Sequence, residues 1–484
     1  MTPPPVAIAT LDGGSATLTP TMLRELRNRL AGRMLEPSDA NWNEAVQIWN
    51  GMAARTPALV IQPSSALDVA AVVRIAREHR LLLSIKGGGH HIAGTAVAER
   101  GLMLDMAQMR EITVDPRAKL ATVGSGCRLK DVDAATQEYG LATVLGFISD
   151  VGVAGLTLGG GLGYLTRRFG WTVDNLEAVE IVTADGEVRT ASRRENSDLF
   201  WAVRGGGGNF GVVTRFTYQL HDVGPTVYGG LIAWPFERAD EILGAYRTIT
   251  NDAPVELAVW LVLLRAPAAP FVPEAWHGKR VCAMCVCYTG DPARADEALA
   301  PIRALTNPVF DLLQAQPYTQ VQSYLDATEP KGLHYYWKTE YLAELSTPLL
   351  SALNSLFAEN PVPGLDMGIL HLGGALNTHD TDDGAVGNRD ARFVLGIKGA
   401  WGAGERNADA YRLWVREAWQ RLRPFSTGAT YVNFQTADED DARIQAAYGA
   451  NLHRVVELKG KYDPDNLFRV NRNIHHRMML AKTS

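Results

Sequence analysis

From residue 58 onward the chain alternates between short apolar runs and longer amphipathic stretches. "ALVIQP" reads as a strand. "SALDVAAVVRIAREH" repeats its apolar residues at helical spacing behind a serine suited to cap the helix. "LLLSIKGGG" is a strand that runs into a loop. "LMLDM", "EITVDP" and "LATVGSG" follow as strands, then the helix "LKDVDAATQEYG", then "LATVLGF" and "AVEIVTADGEV". The block 56–221 is thus α+β with many short strands, not a regular βαβ repeat. Ahead of it, 1–55 reads as an N-terminal arm and helices. Its proline-rich start is expected to be loose, and "PTMLRELRNRLAG" is a short amphipathic helix. Past 221 the strands lengthen, as in "ELAVWLVLLRAP" and "ARFVLGIKGAW", and helices such as "DAYRLWVREAWQRL" separate them. This predicts an antiparallel sheet carrying helices, a second domain over 222–428. In the tail, "DARIQAAYGANLHRVVELKGKYDPDNLFRVNRNIHH" reads as one long helix followed by a turn and a loop.

Composition agrees with two domains, since 484 residues at 46% hydrophobic content exceed a single core. The net charge of −6 is spread without a basic stripe, so nucleic acid is not an expected partner. No apolar run reaches the roughly 18 residues of a membrane helix. The N-terminus lacks the charged start and apolar core of a secretory signal, so the expected location is cytoplasmic. Three of the four cysteines fall in "VCAMCVCYTG", a short apolar stretch that reads as a buried strand. Cys285 and Cys287 then share one face and Cys282 takes the other. No second Cys/His pair lies nearby, so packing is expected here and no metal.

Three glycine-rich segments stand apart: "KGGGHHIAG" at 86–94, "GVAGLTLGGGLGYLTRRFG" at 152–170 and "RGGGGNFGVV" at 204–213. Such clusters let backbone N–H groups approach a phosphate or a flat ring with no Cβ in the way. The third holds Gly206, Gly208 and Gly211 at GxGxxG spacing. A dinucleotide fingerprint follows a strand and opens a helix. Here the helical "DLFWAV" comes first and the β-branched "VVTRF" second, the reverse order. His90 and His91 end the first glycine run. In an extended segment they point to opposite sides, so only one faces whatever the glycines wrap. Neither has a partner at metal-ligand spacing.

Together these loops resemble those of the berberine bridge enzyme-like FAD-linked oxidases, within the vanillyl-alcohol oxidase, or PCMH-type FAD-binding, superfamily. The resemblance is strongest over 55–220 and 425–476. It implies a two-domain vanillyl-alcohol oxidase-like α+β fold. A PCMH-type FAD-binding domain over 56–221 would be completed by the returning segment 429–484 and joined to an antiparallel-sheet substrate domain. In that family the residue after the first glycines is a histidine bonded covalently to the flavin 8α-methyl, which here is His90. Lys86, Gly87, Gly88, Gly89 and Gly94 belong to the same loop, and His91 holds a variable position as a further loop contact. In the second loop Val151 matches the position that gates oxygen, and Gly152, Gly155, Gly161 and Gly163 would lie along the flavin. Gly211 and Val213 are the contacts implied in the third loop. "YVNF" and "NLFRVNRNI" add Tyr431, Asn433, Asn471 and Asn473 from the tail.

The sequence also departs from the family. Many members carry a second, cysteinyl tether; that position is Ile148, so a single attachment through His90 is implied. The positions of three expected tyrosines are Ile92, Leu162 and Phe434. Substitutes must come from the second domain. "HYYWKTEYL" offers His334, Tyr335, Tyr336, Lys338 and Tyr341, and "GILHLGGALN" offers His371. Lys398 interrupts an apolar strand, so it is either an edge residue or a site residue. Tyr336 and His371 are taken as the catalytic candidates. The resulting expectation is an FAD-dependent oxidase. It would move a hydride from an alcohol or amine carbon of a small, ring-containing substrate to flavin N5, with molecular oxygen reoxidising the flavin to give hydrogen peroxide. Two alternatives stand beside it: a flavin dehydrogenase with another electron acceptor, and a flavoprotein that binds and sequesters an aromatic compound.

Overall fold

A computed structural model describes residues 5–475. The apolar runs near the N-terminus pair into a four-stranded sheet, in the order Arg33–Leu35, Leu59–Gln62, Leu102–Asp105, Leu83–Lys86. The last three run parallel, with both faces covered, which is why they read as continuous apolar stretches. Helix Ala66–Glu78 packs on them, and the Ser65 hydroxyl accepts the Asp68 N–H at 3.2 Å as its cap. A second, antiparallel sheet lies alongside, in the order Val188–Ser192, Leu176–Val182, Val212–Gln219, Leu120–Gly124, Ile112–Asp115.

From Val6 onward the N-terminal arm is docked on the first domain. The hairpin Val6–Ala9/Ser15–Leu18 and helix Pro20–Arg29 bury Ile8, Leu18, Leu23 and Leu26 in the core of the first sheet. Residues 1–4 of that predicted arm lie outside the described residues. The tail also differs from its reading. Gly449 adopts φ +53°, so two helices, Asp441–Tyr448 and Leu452–Tyr462, replace the single long one. The second buries Val455, Val456 and Leu458 against the five-stranded sheet, which returns this segment to the first domain.

The second domain is an antiparallel sheet of eight strands. Seven run in the order Phe310–Asp311, Thr226–Pro235, Arg280–Tyr288, Leu257–Arg265, Leu365–His371, Phe393–Trp401, His334–Leu342, and Gln314–Pro317 also pairs with Thr226–Pro235. Helices Ala239–Asp252, Thr347–Ala358 and Ala408–Leu422 cover one face. Strand alternation sends Val259, Leu261, Ile369 and Ile397 toward those helices. It turns Trp260, Val262, Gly368, Gly396 and Lys398 to the other face, opposite the first domain. The cysteines divide as expected: Cys282 is on the helix side, Cys285 and Cys287 on the other. All four are free and buried, and burial pushes the Cys282 and Cys285 thiols up to about 12. Among the described residues no helix is long and apolar enough to cross a membrane.

Asn50 clamps the two domains. Its fully buried Nδ2 donates to the Ile92 carbonyl at 2.7 Å and to the Tyr335 carbonyl at 3.0 Å, and its Oδ1 accepts the Tyr335 N–H at 3.0 Å. Asn50→Ala strands those backbone groups without water. We expect it to lower the unfolding free energy by about 2–4 kcal/mol, measured as an earlier urea midpoint. An unchanged midpoint would remove Asn50 as the clamp.

Candidate active site

The first two glycine loops touch backbone to backbone. A Cβ on Gly88 would lie 2.3 Å from the Gly152 nitrogen, and one on Gly152 would lie 2.3 Å from the Gly88 nitrogen. Only glycine fits either position. Arg128 locks the pair, donating to the Gly88 carbonyl at 2.7 Å and to the Asp150 carbonyl at 3.1 Å. Beside this seam lies a cavity of about 780 Å³. Gly87, Gly88, Gly89, Gly152 and Gly155 form part of its wall, with Val151 next to them. A Cβ on Gly155 would meet nothing within 4 Å, so its backbone faces open cavity.

Both histidines line this cavity, where alternation admits only one. The loop is not an extended strand here: Gly89 has φ +67° and turns the chain between the glycines and His90. Burial, the main cause, lowers His90 to about 4 and His91 to about 3, so both imidazoles are neutral. His91 is engaged within the protein: Nδ1 accepts the Ala93 N–H at 3.2 Å, and the ring also bonds the Val432 backbone. His90 instead stacks on Trp49, with ring centroids 4.6 Å apart and planes 15° from parallel.

The third loop is held by the tail. Asn209 Nδ2 donates to the Arg472 carbonyl at 3.1 Å and Asn209 Oδ1 accepts the Ile474 N–H at 3.1 Å. Asn471 Nδ2 donates to the Gly208 carbonyl at 3.0 Å. Gly208, Gly211, Val213 and Asn471 line the cavity, as do Tyr431 and Asn433. Tyr431 accepts the Gly161 N–H at 2.7 Å, and Asn433 Nδ2 donates to the Leu156 carbonyl at 3.1 Å. Asn471 Oδ1 and Arg472 Nε are buried with no hydrogen-bond partner in the protein.

Several expected contacts lie off the cavity wall. Lys86 Nζ donates a hydrogen bond to the Ala45 carbonyl at 2.5 Å and faces Asp105. Gly94, at φ +64°, is needed because a Cβ would strike Ala53, and Gly163 because one would strike the Leu145 carbonyl. Gly161 is packed on Thr172. The buried Asn473 Oδ1 has no partner in the protein. Ile148, Leu162 and Phe434 are on the wall, while Ile92 packs behind it against Trp49 and Tyr335.

The two catalytic candidates point away from the cavity. Tyr336 points to the helices, donates to Asp438 at 2.7 Å and accepts from Arg416 at 2.9 Å. His371 follows Met367 and Ile369 on the helix side, where its Nε2 meets Arg167 at 2.6 Å. Lys338 shares that parity and is spent on Asp438 and Glu439, each at 3.0 Å. Besides Trp260 and Val262, the cavity receives from this sheet Trp337, Thr339, Asp366, Lys398 and the pair Gly368/Gly396. These two glycines face each other in register and carry no side chain, so the sheet has a flat shelf there. Trp49, Glu329 and Asp366 went unread in the sequence; only Lys398 gave a signal, as a charge inside an apolar strand.

Comparison with known proteins agrees with this geometry. The FAD binding domain family matches residues 57–192, and the family described as berberine and berberine like matches residues 430–475. An FAD-linked oxidoreductase of Dictyostelium discoideum is 30% identical over 431 residues, covering 88% of this chain and 90% of that one. (R)-6-hydroxynicotine oxidase of Paenarthrobacter nicotinovorans is 30% identical over 464 residues, covering 92% and 97%. Among solved structures, 6-hydroxy-D-nicotine oxidase from Arthrobacter nicotinovorans superposes with a TM-score of 0.81 at 26% identity, covering 92% of this chain and 98% of that one. A variant of berberine bridge enzyme shares the fold, with a TM-score of 0.83 at 19% identity, over 93% and 99%.

Burial, with Arg167 beside it, holds His371 down to about 2. An unfolded chain takes up that proton near pH 6.5. The folded state binds fewer protons below that pH, so the stability due to neutral His371 is full above 6.5 and is lost as pH falls. In His371→Gln, which keeps an acceptor for Arg167, this loss is absent. The stability difference between wild type and variant should therefore shrink by about 1.4 kcal/mol per pH unit between pH 6 and 4. Urea titrations at stepped pH measure it; a constant difference would mean that His371 titrates normally.

Proposed function

This chain belongs to the berberine bridge enzyme-like family of FAD-linked oxidoreductases, and on that premise we propose that it is an oxidase with one covalent FAD, tethered through His90, acting on a small ring-bearing alcohol or amine. The observation that carries the reading is one continuous cavity, walled on one side by the glycine loops and on the other by the Gly368/Gly396 shelf. The residues fit FAD. Open backbone at Gly155 and Gly208 leaves room that a Cβ would fill. The unpartnered Asn471 Oδ1 and Arg472 Nε are polar groups awaiting a ligand.

Bound FAD supplies acceptance of a hydride from the substrate carbon and, with molecular oxygen, release of hydrogen peroxide. The protein's part is position. His90, neutral and stacked on Trp49, offers a nitrogen for the tether. Ile148 leaves no second thiol. Val151 keeps the wall beside the second loop small, which leaves oxygen a way in. Trp337, Trp260 and Phe434 give the substrate side an apolar, aromatic lining suited to a flat ring. The relative named for 6-hydroxynicotine supports a substrate of this size. Tyr336 and His371 have no part in this scheme.

Acid precipitation of the purified protein is expected to leave the yellow colour in the pellet, and in His90→Ala to release it to the supernatant. Colour in the wild-type supernatant would rule out the histidyl bond. Gly155→Val fills open cavity without striking the protein, so it should fold normally yet purify with little flavin, read from visible absorbance and circular dichroism. Full flavin occupancy in that variant would displace the cofactor from this wall.

A further inference from the structure

The substrate side of the cavity carries a charge that the protein does not balance. Lys398 Nζ pairs with Glu329 Oε1 and lies 3.0 Å from Asp366 Oδ2. Asp366 and Lys398 are cross-strand partners, and Trp337 stands opposite Lys398 on the next strand. All four side chains line the cavity, beside the Gly368/Gly396 shelf. One ammonium thus serves two carboxylates. Arg265, also on the wall, donates to the Gly278 carbonyl at 3.2 Å and has Arg280, not this cluster, as its charged neighbour. With every group ionised the cluster holds a net negative charge among Val262, Leu264 and Leu370, and such a charge is costly in apolar surroundings. Burial raises both Glu329 and Asp366, with Lys398 opposing it in each. Glu329 Oε2 is buried and has no hydrogen-bond partner.

We propose that Glu329, Lys398 and Asp366 form a recognition site for an ammonium group, so that the substrate is a cationic amine carried on a flat ring. This rests on the reading of the cavity as a flavin oxidoreductase's substrate site. The ring lies over the glycine shelf, where no side chain lifts it off the sheet. An N–H of the amine donates to the Asp366 carboxylate, whose side chain is a quarter exposed, and its charge brings the cluster to neutrality. Trp337 presents an aromatic face to the same cation. An alcohol can donate the same hydrogen bond but leaves the negative charge standing, and a carboxylate adds to it. The other route to neutrality is a proton held on one carboxylate, and in that case amine and alcohol bind alike.

The test is binding to the wild-type holoenzyme without oxygen, by calorimetry, with ligands that differ only in their end group. Tryptamine, tryptophol and indole-3-propionate form one series; benzylamine, benzyl alcohol and benzoate form a smaller one. The amine of at least one series should bind about tenfold or more tightly than its alcohol, with the carboxylate weakest. Glu329→Gln and Asp366→Asn should each remove the amine's advantage, and Lys398→Gln should keep it. Equal binding of amine and alcohol, preference for the carboxylate, or no binding in either series overturns the site. The wild-type comparison stands even where a variant fails to fold. Visible absorbance separates the two readings. A yellow protein without amine preference refutes the ammonium site alone, and a colourless one overturns the flavin reading and the site together.

Discussion

Two glycines in contact set the geometry of the whole site. Gly88 and Gly152 approach so closely that neither has space for a Cβ, and this lets two loops from distant parts of the chain lie side by side. Arg128 fastens them from behind. The consequences run outward from that seam. The first loop turns at Gly89 and aims both histidines at the cavity. The Trp49 backbone N–H reaches the Gly89 carbonyl at 2.9 Å, which sets its ring for stacking on His90. The next residue, Asn50, ties the seam to the substrate sheet.

The second constraint is strand parity. The substrate sheet has helices on one face and the cavity on the other, so each strand position is committed to one or the other. The helix face is closed by buried ion pairs: Arg443 with Glu340 at 2.9 Å, and Lys338 with Glu439 at 3.0 Å. These bind the tail to the sheet and hold Tyr431 and Phe434 in the cavity wall. Their cost in desolvation is met only because each charge has a partner. On the cavity face one cluster lacks that balance, and it lies beside the shelf where a ring can rest.

The chemistry of the site follows from what is missing as much as from what is present. Ile92, Leu162 and Phe434 bring no hydroxyl to the glycine-loop side of the cavity. Asp366, Lys398 and Glu329 instead place charged groups on the opposite wall.

The sequence by itself determined the parts that depend on backbone alone. A glycine run is visible as a run, because it is local and only glycine permits the turns and close approaches it makes. Strand and helix periods indicated an α+β chain of two domains, and the glycine loops with His90 and the "YVNF" tail pointed to the family. It could not decide which face of a strand meets the cavity. "HYYWKTEYL" is covered on both sides, so its pattern carries no alternation to read, and a shift of one residue exchanges Tyr336 for Trp337. Nor could it join Glu329, Asp366 and Lys398, or bring Trp49 to His90. Those meetings rest on cross-strand register and on the docking of one domain against the other, and both are set by packing between segments far apart in the chain.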